Sequence, residues 1–223
     1  FSIDQLPKRI ARVFDEVILH KKVASGKRKS AGILHALVMY GFIFFGLITI
    51  NHFGMAFGLP IFSDSIRHAY FLFFGAPWAI LCSIGILGLA YRRFVIKPEA
   101  LGKFSSTSAI VSVFIITLMV TYLIDEFHIL SGAAEKFNWW LHSGVIGGFL
   151  FLIPQSKHMH LVLSPFNIFL RPFEVPSHGA IPIDMEASEE ELDNLLLDLS
   201  RLSKDQALDI FTCVECGRCT DVC

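Results

Sequence analysis

Four long apolar runs dominate the chain, at residues 32–56, 69–91, 107–130 and 138–163. Each is long enough for a helix to cross a hydrocarbon core, which takes about 20 residues. Polar loops separate them, from Pro60 to Arg67, Arg92 to Ser106 and Ser131 to Phe137. Ahead of the runs, residues 3–20 carry Leu6, Ile10, Val13, Phe14, Val17 and Ile18 at helical spacing. Lys8, Arg9, Arg12, Asp15 and Glu16 lie between them. That pattern predicts an amphipathic helix lying on a surface. After the runs, Pro165, Pro172, Pro176 and Pro182 predict an extended linker, over 164–187. Ser188 with Glu191 and Ser203 with Gln206 then read as capping boxes opening two short soluble helices. The expected fold is an all-α membrane protein. An N-terminal segment (1–31) precedes four transmembrane helices (32–163), and a soluble helical segment begins at 188.

Composition agrees. Hydrophobic residues make up 53% of the chain and charged ones only 17%, against about a quarter in soluble domains. The formal charge of −1 and the lack of a basic stripe exclude nucleic acid as a partner and leave membrane lipid. Arg92, Arg93, Lys97 and Lys103 make the second loop basic, whereas the first and third are mixed or acidic. The positive-inside rule then places both termini in the cytoplasm of a multi-pass inner-membrane protein.

The chemistry is concentrated at the C-terminal end. Cys213, Cys216, Cys219 and Cys223 follow the C-x2-C-x2-C-x3-C run with which bacterial ferredoxins hold a [4Fe–4S] cluster. Short steps let one backbone loop aim three thiolates at three corners of a cubane, and Gly217 gives that loop its freedom. In two-cluster ferredoxins the fourth cysteine serves the other cluster, a role that here falls to Cys223. Zinc sites usually gather ligands as two separated pairs, and no second pair follows. The chain stops on a ligand, so further sequence is expected after it. The remaining cysteine, Cys82, lies in an apolar run and reads as a small core residue.

Ionisable side chains inside spans usually mark function. His142 and His160 are eighteen residues apart in the fourth run. On one continuous helix that is about five turns and roughly 27 Å, so both would face one side, one near each membrane surface. Such a helix supplies one axial ligand to each of two stacked haems. In the first run His35 matches His160 in depth and His52 matches His142, although His35 and His52 lie about 100° apart around a straight helix. His68 and His128 compete with His52 at the outer side. His158 lies off the ligand face, and His20 and His178 read as surface residues. Gly41, Gly46, Gly144, Gly147 and Gly148 leave room either for porphyrin faces or for close helix packing. Asp64, His68, Asp125, Glu126 and His128, at the outer ends of three spans, are candidates to carry protons or are plain loop residues.

Several stretches resemble nitrate-reductase-gamma-like cytochromes b. They are Arg28 to Ile50 with His35 and Met39-Tyr-Gly-Phe-Ile, the Tyr91-Arg-Arg-Phe loop with Lys97-Pro-Glu, and Trp139-Trp140-Leu-His142 leading to Ser164-Pro-Phe-Asn167. Leu208 to Cys223 is similar to the cluster domain of heterodisulfide-reductase-like subunits. Proteins fusing both halves resemble membrane-bound reductases between electron-transfer flavoprotein and menaquinone. The resemblance implies a dihaem cytochrome b bundle followed by a ferredoxin-like segment. It implies two b haems on His35, His52, His142 and His160, with His52 the least secure of the four. It also implies a cluster on Cys213, Cys216 and Cys219, a quinone, and a flavoprotein or other cytoplasmic redox partner. A quinone-linked membrane oxidoreductase is the expected activity. A quinol-linked heterodisulfide or thiol reductase and a haem-free anchor for an iron–sulfur partner are the alternatives.

Overall fold

The computed structural model describes residues 4–25, 28–102, 104–173, 204–214 and 216. All regular structure among the described residues is helical, with no strand. Helix α1 (Leu6–Val13) runs on into a π-helical turn, Phe14–Ile18. It is followed by α2 (Lys29–Ala56), α3 (Asp64–Tyr70), α4 (Ala76–Tyr91), α5 (Ser106–Glu126) and α6 (Ala133–Leu152). Last come α7 (His160–Leu170) and α8 (Lys204–Thr212).

Three of these rods are long and apolar enough to cross a membrane: Lys29–Met55, Ser65–Ile96 and Ser106–Glu126. The second joins α3 to α4 through a π-helical turn at Phe71–Gly75. Pro77, near the start of α4, has no N–H to give to the preceding turn, and a π turn absorbs such a break without ending the helix.

The fourth apolar run departs from expectation. Its helix ends at Leu152, and a turn and a short 3-10 segment, Lys157–Met159, separate it from α7, which opens at His160. Pro154 is the cause. It disfavours helical geometry at Ile153 and cannot donate in the next turn. Ser156 then caps the new start, its hydroxyl accepting from the His158 backbone N–H. His142 and His160 therefore do not share one helix, and the in-phase eighteen-residue argument fails. Residues 164–170, expected to be extended, are helical instead, with Pro165 inside α7. The remainder of the proposed linker from residue 174, and the Ser188 capping box, lie outside the described residues.

The chain divides into two compact units. In the membrane unit, His20–Leu152, α2 packs on α4, α4 on α5 and α5 on α6. Phe71, Ala79, Cys82, Met119 and Tyr122 form its core, flanked by Val38, Phe45 and Ile48 of α2. The approach depends on small residues. A side chain at Gly41 would meet the Cys82 sulfur at 2.9 Å, and one at Gly85 the Leu34 carbonyl oxygen at 2.7 Å. Outward residues such as Phe42, Leu47, Phe53, Val113 and Val120 stay exposed, as lipid-facing positions do.

The terminal unit combines Phe1–Leu19 with Ile153–Cys216. Here polar bonds at helix ends take over. Arg9, only 2% exposed, donates from Nη1 to the Phe169 carbonyl at 2.8 Å and the Arg171 carbonyl at 3.2 Å. Its Nε donates to the Asp4 carbonyl, and Nη2 pairs with the Asp4 carboxylate at 2.8 Å. Arg12 donates to the Arg171 carbonyl at 2.6 Å and lies over the Phe173 ring. Carbonyls at a helix C-terminus lack partners within the helix and carry its negative dipole end, so cations settle there. The amphipathic reading of α1 holds with one change: part of its charged face is buried against α7. Leu6, Ile10 and Phe14 keep an exposed apolar stripe.

Candidate functional site

In the membrane unit two histidine sites are built differently. His142 sits on the face of α6 turned to α5. Its Nδ1 lies 2.7 Å from the Thr121 hydroxyl oxygen, and Asn138, one turn earlier, donates to the Thr121 carbonyl at 2.9 Å. Thr121 and Asn138 are 4% and 5% exposed, so the bonds run through a dry interface. His52 and Asp125 lie close enough to act electrostatically on His142. His52 itself is exposed. His52 also lines a small cavity, about 10 Å³, with Asn51, Arg67, Tyr70, Tyr122 and Glu126. A second cavity of like size has Asp125, His128, Glu135 and Asn138 on its walls. Quinone-sized ligands need pockets of roughly 300 Å³ or more, so neither space holds one as it stands.

At the other site, His35 faces His20. The His20 Nε2 is 2.8 Å from the His35 Nδ1, and the rings stack with centroids 5.1 Å apart. One ring donates and the other accepts. His20 is 6% exposed and adopts φ 53°, an uncommon region for a residue with a side chain. Its expected role as a surface residue is therefore overturned. Gly32 explains the approach. Without a side chain there, the Val23 carbonyl rests against the first turn of α2, which folds the His20 segment back onto His35.

The glycines divide. Gly41 and Gly148 serve packing, against Cys82 and against Phe114, while Gly46, Gly144 and Gly147 adjoin open space. By helical phase Gly144 and Gly147 lie roughly opposite His142, so they do not frame its ring.

In the terminal unit His160 opens α7 and its Nδ1–H donates to the Lys157 carbonyl at 2.8 Å. Burial pushes its pKa down, with the Lys157 bond opposing. Burial, with His160 and Lys157 nearby, pushes His158 down to about 4. Both imidazoles are therefore neutral at pH 7, the form that ligates metal. Farther along α7, Asn167 donates to the Asp209 carboxylate at 2.8 Å and the Thr212 hydroxyl at 2.7 Å on α8. Those two bonds hold the end of α8, and Cys213 follows directly. Cys213 and Cys216 are exposed. Gly217, Cys219 and Cys223 lie outside the described residues, and among the described ones no cluster of three metal-ligating side chains is assembled.

Neither Thr121 nor Asn138 is marked as a site residue by the sequence, and the bonds of His20 and Asn167 carry no sequence signal. Only the i, i+4 spacing of Asn138 and His142 signalled a shared helix face in advance.

The chain is similar to two curated proteins. It is 31% identical to the "Probable iron-sulfur-binding oxidoreductase FadF" of Bacillus subtilis, over 97% of this chain and 34% of that protein. It is 23% identical to the "EtfAB:quinone oxidoreductase" of Syntrophomonas wolfei, over 88% of this chain and 32% of that protein. The chain thus spans about a third of the length of the curated relatives it matches. No protein-family profile and no solved structure matches it.

Proposed function

We propose that this chain is the membrane electron-transfer part of a quinone-linked iron–sulfur oxidoreductase. The observation that carries the reading is one of composition: membrane-length helices and a ferredoxin-type cysteine run occupy a single chain. The names of its relatives, an iron–sulfur-binding oxidoreductase and a quinone oxidoreductase, point the same way. In this reading α6 makes a fourth crossing, since its 20 residues span about 30 Å. Both termini are cytoplasmic, an electron-transfer flavoprotein is the soluble partner, and menaquinone is the membrane one.

Cys213, Cys216 and Cys219 hold a [4Fe–4S] cluster, and Cys223 serves a second. His35, His52, His142 and His160 would hold two b haems. When bound, these groups carry single electrons, and a quinone takes two of them with two protons. The donor set suits haem iron. His142 and His160 both engage their Nδ1 atoms in hydrogen bonds, which directs Nε2 toward a metal. The protein's own work is to fix those rings, exclude water from the α5–α6 interface, and tie the end of α8, which leads into Cys213, to α7 through Asn167. Glu126, which lines the same small cavity as His52, would carry a proton in this reading.

The test is Cys216→Ser in the full-length protein. It is expected to abolish the cluster's EPR signal and reduction of the haem by flavoprotein, while dithionite still reduces the haem. Unimpaired flavoprotein-driven haem reduction would contradict the route.

A further inference from the structure

The Thr121 hydroxyl has one hydrogen and three neighbours. Its oxygen lies 2.6 Å from the Thr117 carbonyl, 3.2 Å from the Leu118 carbonyl and 2.7 Å from His142 Nδ1. Carbonyls only accept, so the single hydrogen goes to the nearer one, one turn back along α5. The lone pairs of the oxygen then face His142, which must supply the hydrogen of that bond from Nδ1. In the neutral ring this leaves the lone pair on Nε2.

We infer that Thr121 is the positioning residue of His142, fixing its tautomer and ring plane so that Nε2 is presented to a haem iron. This inference rests on the haem reading of the proposed function and goes beyond it, because no ligand list would include a threonine on another helix. Two features support it. A dry helix interface gives no packing reason to prefer Thr over the isosteric Val, since a buried hydroxyl needs partners. In addition, Asn138 grips the carbonyl of the same Thr121 from the same face of α6. Together the two bonds set the register of His142 against α5. Hydrogen bonds of this kind to a ligating histidine fix its orientation and raise its basicity. Their loss typically costs about 10–100-fold in metal affinity.

The experiment uses the full-length protein in detergent, with Thr121→Val, Thr121→Ala and Thr121→Ser compared for haem content, haem transfer to an apoprotein acceptor, redox titration and EPR g-values. Wild-type protein without haem would sink the proposed function itself. With haem present, the Val and Ala variants should lose one haem roughly 10–100-fold more readily, with a shifted potential and g-values for the remainder. The Ser variant should behave as wild type. If Val and Ala retain wild-type affinity and potential, the inference is wrong. It is also wrong if Ser fails as badly as Val, or if the hydroxyl-free variants lose haem only together with helical content.

Discussion

The two units hold their helices by opposite means. In the membrane unit helices approach through missing side chains: Gly41 admits Cys82, and Gly85 admits the backbone of Leu34. Apolar residues on the outside stay exposed. In the terminal unit, short helices are joined by charged and amide groups that bond to helix ends, Arg9 to the carbonyls closing α7 and Asn167 to the last turn of α8. The difference follows from solvent. Apolar burial drives no association between helices already in hydrocarbon, so fit and buried hydrogen bonds must do so. Short helices in water have unsatisfied ends, and those ends become the contacts.

Substitutions of opposite kinds should break each unit separately. Arg9→Met should have the largest effect, because it removes the side-chain donor of the Asp4 and Phe169 carbonyls, one of the two donors of the Arg171 carbonyl, and the ion pair with Asp4. A cost of about 2–4 kcal/mol is expected, with the exposed Asp4 carboxylate adding little. Hydrogen exchange should rise in α1 and α7 while α2–α5 keep their protection. Equal loosening of α2–α5 would dissolve the distinction between the units. Next comes Gly85→Ala, whose methyl group would fall 2.7 Å from the Leu34 oxygen. Separating α2 from α4 should cost about 1–3 kcal/mol, read as a lower unfolding temperature in detergent. An unchanged temperature would mean that small residues do not govern this contact. The smallest effect is expected of Asn167→Ala, roughly 1–2 kcal/mol local to α7 and α8. Protease access should increase between α8 and the cysteines without a change in α1.

How much of this could be read in advance depended on the range of the interaction. The three long apolar rods were legible because crossing hydrocarbon demands length, and Cys82 was legible as core. The break at Pro154 was also written in the chain, but the attractive phase of His142 and His160 obscured it. The contacts of His20 and Thr121 were not legible. Each depends on which residue of another segment lies opposite, His35 through the fold-back at Gly32 and His142 through the α5–α6 register. Arg9 fell between these cases, since its helical position marked a charged face but nothing local showed that α7 would cover it.

In the function proposed above, one chain carries electrons between an iron–sulfur centre and haems in the membrane. The most direct test is a dithionite-reduced minus oxidised absorption spectrum of the purified full-length protein, with haem and iron quantified. A b-type spectrum with two haems per chain, and iron beyond what the haems contain, is expected. A protein with iron–sulfur absorption and no haem would contradict it and leave the helices as an anchor.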